Sequence, residues 1–182
     1  MLKPNDRWNW YFSEREGYLM LDLGCESSFQ TQLTRRTLVN CAFTPNVFSI
    51  EDAILYQQYQ ECIAVLDLAA NKKEELLLNC VAAKRFYKPV QPKSWYFQHT
   101  NNETAPYEGQ MIYLFNQYQQ VQFMVLDVGD IASLCIVVDE AGFMLDEHKV
   151  LGFSQLIKVM HNRMLWADCV ETPLLKQVNL VG

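Results

Sequence analysis

Glycine is scarce in this chain, with seven in 182 residues. None sits in a GxGxxG, a Walker loop or a GxSxG elbow. Phosphate-cradling loops need glycine so that backbone N–H groups can approach the anion, so nucleotide chemistry of that kind is excluded. The three histidines, His99, His148 and His161, stand far apart in sequence. A catalytic imidazole needs a second group that orients it, and no neighbour in sequence supplies one. Six cysteines occur, at 25, 41, 62, 80, 135 and 169, without a CxxC pair. They are expected to be reduced and mostly buried, not disulfide-bonded or zinc-bound. Apolar runs stop well short of the ~18 residues that span a bilayer. The opening "MLKPNDRWNW" lacks the apolar core of a signal peptide. The expectation is a soluble, cytoplasmic protein that is not an enzyme and carries no cofactor or metal.

Positive charge is also scarce where it would matter most for nucleic acid. The net charge is −6. Up to Pro89, ten Lys/Arg face eleven Asp/Glu; from Val90 onward, five face ten. An acidic second half lacks the basic footprint that nucleic acid or an anionic membrane surface requires. Single-stranded nucleic acid stacking on Trp95, Tyr96 and Phe97 is disfavoured for the same reason. The turn acids Asp139-Glu140, Asp146-Glu147, Asp127 and Asp130 read as solvated turn residues, since a hard cation needs about six to eight converging oxygens.

Half of the chain is apolar, enough for a real core. In "RWNWYFSEREGYLMLDL", Trp8, Trp10 and Phe12 alternate, Ser13 to Gly17 turns, and Leu19, Leu21 and Leu23 alternate again. That is a hairpin signal, and "SSFQTQL" is a candidate third strand. Ser49 with Asp52 three residues on is a capping-box pattern. Leu55, Tyr59, Cys62 and Leu66 then follow at helical spacing. A second helix is expected from near Asn71, with Leu76, Leu77, Cys80, Val81 and Ala83 as its apolar face. Lys84, Arg85 and Lys88 crowd its end, where the helix dipole favours cations. Pro89 stops it.

Beyond Pro89 the period changes from 3.6 to 2. "SWYFQ", "QMIYLFNQ", "VQFMVLDV", "ASLCIVVD", "GFMLDE" and "LWADCV" read as short strands between turn-like segments. One helix is expected from about Ser154 to Met164, and the tail after Pro173 is expected to fray. The fold class is therefore α+β. Residues 1–89 form an α/β domain of a β-hairpin and two helices. Residues 90–182 form a mostly β, barrel-like domain with one helix. The junction "YKPVQPKSWYF" holds two prolines and is expected to be stiff. Core packing is the simpler reading of Trp8, Trp10 and Trp95; the other is an exposed aromatic anchor rimmed by basic residues, as at interface hot spots.

The segments "KPNDRWNWYF", "YLMLDL", "FSIEDAILY", "NKKEELLLNCVAAKRFYKPVQPKSWYF" and "LIKVMHNRM" resemble, in order, the ZapC family of bacterial cell-division proteins. The resemblance implies a non-enzymatic regulator that binds polymers of FtsZ, the tubulin-like division GTPase. It implies lateral bundling of FtsZ filaments, a stabilised division ring at midcell and a lowered GTP turnover. It also implies that Leu21, Lys88, Lys93 and Arg163, in "MLDL", "YKPVQPK" and "HNR", serve FtsZ association. Chemistry agrees that an acidic chain binding an acidic polymer needs a local cationic patch, with Lys84, Arg85, Lys88, Lys93 and Arg163 as candidates. Leu21 reads equally as core and Lys88 as a dipole complement, whereas Lys93 has no derivable structural role. Oligomeric state stays open, with a monomer favoured. The alternative function is small-ligand binding or catalysis in a pocket of the β half.

Overall fold

The computed structural model describes residues 1–167. The chain divides into two compact units, Met1–Pro89 and Val90–Gly182.

The first unit is built on a four-stranded antiparallel sheet of order β3-β2-β1-β4. Its strands are β1 (Asn9–Ser13), β2 (Tyr18–Gly24), β3 (Ser27–Thr34) and β4 (Asn46–Val47). The β1–β2 hairpin turns at Ser13 to Gly17, where Gly17 N–H donates to the Ser13 carbonyl at 2.8 Å. The β2–β3 turn consists of Cys25 and Glu26, both in the left-handed region at φ 54° and 61°. Two successive left-handed residues match the right-handed twist of the flanking strands. Helices α1 (Ile50–Ala64) and α2 (Ala70–Phe86) complete the unit. In α1 the capping box forms as the pattern required: Asp52 N–H donates to Ser49 Oγ at 3.2 Å and Ser49 N–H to Asp52 Oδ2 at 2.9 Å. The buried face of α1 is Asp52, Tyr56, Tyr59 and Ile63, one position on from the expected Leu55 and Cys62. In α2 the expected apolar face, Leu76, Leu77, Cys80, Val81 and Ala83, is buried, and Phe86 is buried with it. Trp8 and Trp10 lie in the core, their rings packed on Phe48, and that of Trp10 also on Phe86. After α2, Tyr87 turns extended and bridges to Leu38, and Lys88 N–H donates to the Thr37 carbonyl at 2.9 Å.

The second unit holds β5 (Met111–Phe115), β6 (Gln120–Val128), β7 (Ala132–Val137), β8 (Phe143–Asp146), β9 (Lys149–Leu151), β10 (Leu156–Met160) and β11 (Leu165–Trp166). A five-stranded antiparallel sheet has the order β10-β7-β6-β5-β11, and β8 pairs with β9 in a separate hairpin. The core joins Ile112, Leu114, Phe123, Val125 and Val137 of the sheet to Phe143 and Leu145 of the hairpin. No ladder joins β10 to β11 among the described residues.

Two expectations fail in this unit. The helix expected from Ser154 to Met164 is instead strand β10 followed by a 3-10 turn, His161–Arg163. Leu156, Ile157 and Met160 suit helical spacing, but Ile157 and Val159 also alternate with half-buried neighbours and are β-branched. An open edge on β7 was available, and pairing with it decided the outcome. The strand expected at "SWYFQ" is a 3-10 turn, Ser94–Tyr96. It lies along the outer edge of β10: Lys93 N–H donates to the Lys158 carbonyl at 2.8 Å, and Met160 N–H donates to Ser94 Oγ at 2.9 Å. Edge protection of this kind uses the backbone without extending the sheet. The end of "LWADCV" and the tail after Pro173 lie outside the described residues. Among those residues, no helix is long and apolar enough to cross a membrane.

Candidate interaction surface

The four residues singled out in sequence fall in different settings. Leu21 pairs with Trp10 across the hairpin and is fully buried. It is a core residue with no surface to offer a partner. Lys88 is exposed in the first unit, just after α2. Lys93 is exposed in the second unit, at the start of the 94–96 turn. Neither ammonium meets a carboxylate among the described residues.

Arg163 ends the 161–163 turn and meets three acceptors, two on the 94–99 segment and one on its own turn. Its Nε–H donates to the Ser94 carbonyl at 3.3 Å. One Nη donates to Asn162 Oδ1 at 2.7 Å and lies 2.5 Å from His99 Nδ1. None of the three is a carboxylate, so among the described residues the guanidinium is oriented without its charge being cancelled. Burial draws its pKa down from the usual arginine range. Lys93, Ser94 and Arg163 are therefore brought together in the second unit.

Trp95 projects from the same turn and is 69% exposed, so of its two readings the structure selects the exposed one. Its ring lies 5.5 Å from that of Tyr96, over which Lys149 Nζ sits 5.5 Å from the centroid. A cavity of about 360 Å³ beside them is lined by Trp95, Tyr96, Tyr118 and Asp146, among others. A second, of about 420 Å³, has His99, Asn101 and Asn102 on its polar side and Phe115, Met164 and Trp166 on its apolar side.

Arg85, expected in the cationic patch, does not belong there. Its guanidinium pairs with the Asp52 carboxylate, which is 1% exposed, and donates to the Val47 carbonyl at 2.9 Å. Asp52 Oδ2 also accepts from the Trp10 indole N–H at 3.1 Å. One carboxylate thus caps α1, satisfies a buried indole and neutralises the end of α2. The capping-box pattern revealed the first role; nothing local in sequence revealed the other two.

A serine and a histidine do meet, at Ser133 Oγ and His161 Nε2, 2.9 Å apart. Ser133 is fully buried and no substrate reaches it. Burial also pulls the His161 pKa below its ordinary value. The pair ties β7 to the 161–163 turn. Among the described residues, no three His, Cys, Asp or Glu are placed to hold a metal ion. Cys80 and Cys135 are buried, and burial raises both thiol pKa values. Cys25 and Cys41 are exposed, against the expectation of general burial.

Two family models match the chain end to end through the described region. The N-terminal model of cell-division protein ZapC covers residues 1–88, and the C-terminal model covers residues 89–169. The chain belongs to the ZapC family. Cell division protein ZapC of Vibrio vulnificus is 49% identical over 182 residues, all of both chains. That of Vibrio cholerae is 52% identical over 164 residues, 90% of this chain and 91% of its own. That of Aliivibrio salmonicida is 42% identical, over 94% of this chain and 96% of its own. The surface just described thus belongs to a cell-division protein family.

Proposed function

We propose that this protein is a non-enzymatic regulator that binds FtsZ polymers and bundles them side by side. The observation that carries the reading is an exposed tryptophan, Trp95, on a turn that also presents Lys93 and anchors Arg163 through neutral acceptors. A large exposed ring beside unneutralised cations is the composition of an interface anchor, and it fits an acidic polymer surface. Membership of a cell-division family supports the same partner class.

Bundling requires either two binding surfaces or self-association. Lys88 in the first unit and the Lys93–Trp95–Arg163 group in the second are candidates for two contacts. Filaments held side by side exchange subunits more slowly, so GTP turnover falls without contact at the nucleotide site. The two units, 1–89 and 90–182, are on this reading separate domains. The site of action is the cytoplasmic division ring.

Co-sedimentation with FtsZ and GTP tests the reading, with light scattering and phosphate release followed in the same samples. Pelleting with polymer, raised scattering and slowed release are expected. The Lys88→Glu/Lys93→Glu variant should stay in the supernatant while keeping its circular dichroism spectrum. Undiminished pelleting of that variant would reject the cationic surface, and a wild-type protein that never pellets would reject the partner.

A further inference from the structure

The three acceptors around Arg163 differ in one respect. The Ser94 carbonyl and Asn162 Oδ1 keep their character at any ordinary pH, whereas an imidazole does not. A guanidinium can only donate, so the His99 nitrogen that faces it presents a lone pair, with the ring proton on Nε2. We propose that His99 is the positioning residue for Arg163 and works only as the neutral imidazole, so that pH sets how this cation is presented. The proposal rests on the reading of Arg163 as a polymer-facing charge.

Protonation of Nδ1 would replace an acceptor with a second cation at the same 2.5 Å. The contact would change sign, from attraction to repulsion. Arg163 would keep its bonds to Ser94 and Asn162, so it would reorient on those anchors without breaking loose.

Among the described residues, no carboxylate forms an ion pair with His99. From its own segment come Thr100, Asn101 and Asn102, with Glu103 exposed beyond them, and β5 contributes Phe115. The 161–163 turn contributes His161, engaged with Ser133, and β11 contributes Leu165 and Trp166. Protonated His99 therefore has no ion-pair partner among the described residues to hold it in place of Arg163.

The test uses the isotope-labelled full-length protein and two readouts. In the free protein, the Arg163 Nε–H resonance is followed together with the His99 ring signals between about pH 5 and 8. The Arg163 signal should move in one transition that shares the His99 midpoint. In His99→Gln, whose side-chain carbonyl accepts but does not titrate, it should stay still over the same range. A stationary wild-type signal, or equal movement in His99→Gln, overturns the positioning role whatever the binding data show.

The second readout is co-sedimentation with FtsZ across the same range. Wild-type binding should weaken as His99 protonates, and His99→Gln should keep the binding and lose that pH dependence. His99→Leu should weaken binding about tenfold at neutral pH, as Arg163→Gln does. If Arg163→Gln binds like wild type, the polymer-facing reading falls and the functional half of the proposal with it. The resonance experiment would then still decide whether His99 orients Arg163.

Discussion

Arg85 and Arg163 each close a structural element, one in each unit, and they end in opposite electrostatic states. Arg85 is matched by Asp52, a carboxylate buried at the root of α1. Its charge is spent inside the first unit, where it holds α1, α2 and Trp10 to one atom. Among the described residues, Arg163 meets a carbonyl, an amide and an imidazole. Those acceptors orient it and leave its charge to act outward. The two tryptophans repeat the contrast, since Trp10 is fully buried with its N–H satisfied and Trp95 stands in solvent. A basic or aromatic residue therefore belongs to a recognition surface only when its partners leave its charge or face unused.

The sharpest way to break this comparison is at Asp52. Asp52→Ala strands a partly buried guanidinium and an indole N–H and uncaps α1. It should cost about 3–5 kcal/mol by urea unfolding. An Asp52→Ala/Arg85→Met double variant should recover part of that loss, because the stranded charge is gone. A cost under about 1 kcal/mol for the single change would show that Asp52 is not the hub described here.

The tryptophans give the next largest contrast. Trp10→Ala should cost about 3–5 kcal/mol of stability. Trp95→Ala should change stability by about 0.5 kcal/mol or less and weaken FtsZ co-sedimentation by the ~2 kcal/mol of a hot-spot residue. Equal effects on stability would erase the distinction between core and surface. Leu21→Ala belongs with Trp10: a loss of about 2–5 kcal/mol is expected, and any binding defect should follow from the damaged sheet.

A smaller effect comes from His161, in the turn that Arg163 closes. Burial lowers the folded-state pKa of His161. The unfolded chain then binds more protons below the ordinary histidine value of about 6.5. The stability contribution is complete above that value and declines as pH falls toward the folded pKa. His161→Gln should remove this decline from unfolding curves taken across that window, and an unchanged pH profile would assign it elsewhere.

The smallest expected effect is a gain. Glu26 occupies a left-handed turn position at φ 61°. Glu26→Gly should raise stability by a few tenths to about 1 kcal/mol, read as an upward shift in melting temperature. No such gain is expected for a glycine placed in the 94–96 turn, where no residue has positive φ.

Much of the first unit could be read in sequence because its signals are local. The alternation around Ser13 to Gly17, the Ser49–Asp52 cap and the Pro89 stop each act within a few residues, and each appears in the structure. The second unit was harder to read where elements are short and both periods fit. Leu156 to Met160 satisfied a helical spacing, yet the free edge of β7 claimed it as a strand. "SWYFQ" had strand composition, yet its backbone went to cover β10. The candidate surface was legible in part. Lys93 stood out because no local role accounts for it, and Arg163 because it closes the "HNR" that carries part of the family resemblance. That Arg85 is silent, that Trp95 is exposed and that His99 touches Arg163 all depend on residues 33 to 64 positions apart or on burial.

By itself the sequence determined which segments could be strands and helices, the scarcity of phosphate-binding loops and the family to which the chain belongs. Those properties follow from residue type and short-range spacing, which do not change on folding. The tertiary structure alone decided which charges are cancelled, which aromatic rings stay wet and which imidazole acquires a cation to hold. Those depend on what lies across space from each side chain, and only the packed chain brings Asp52 to Arg85 or His99 to Arg163.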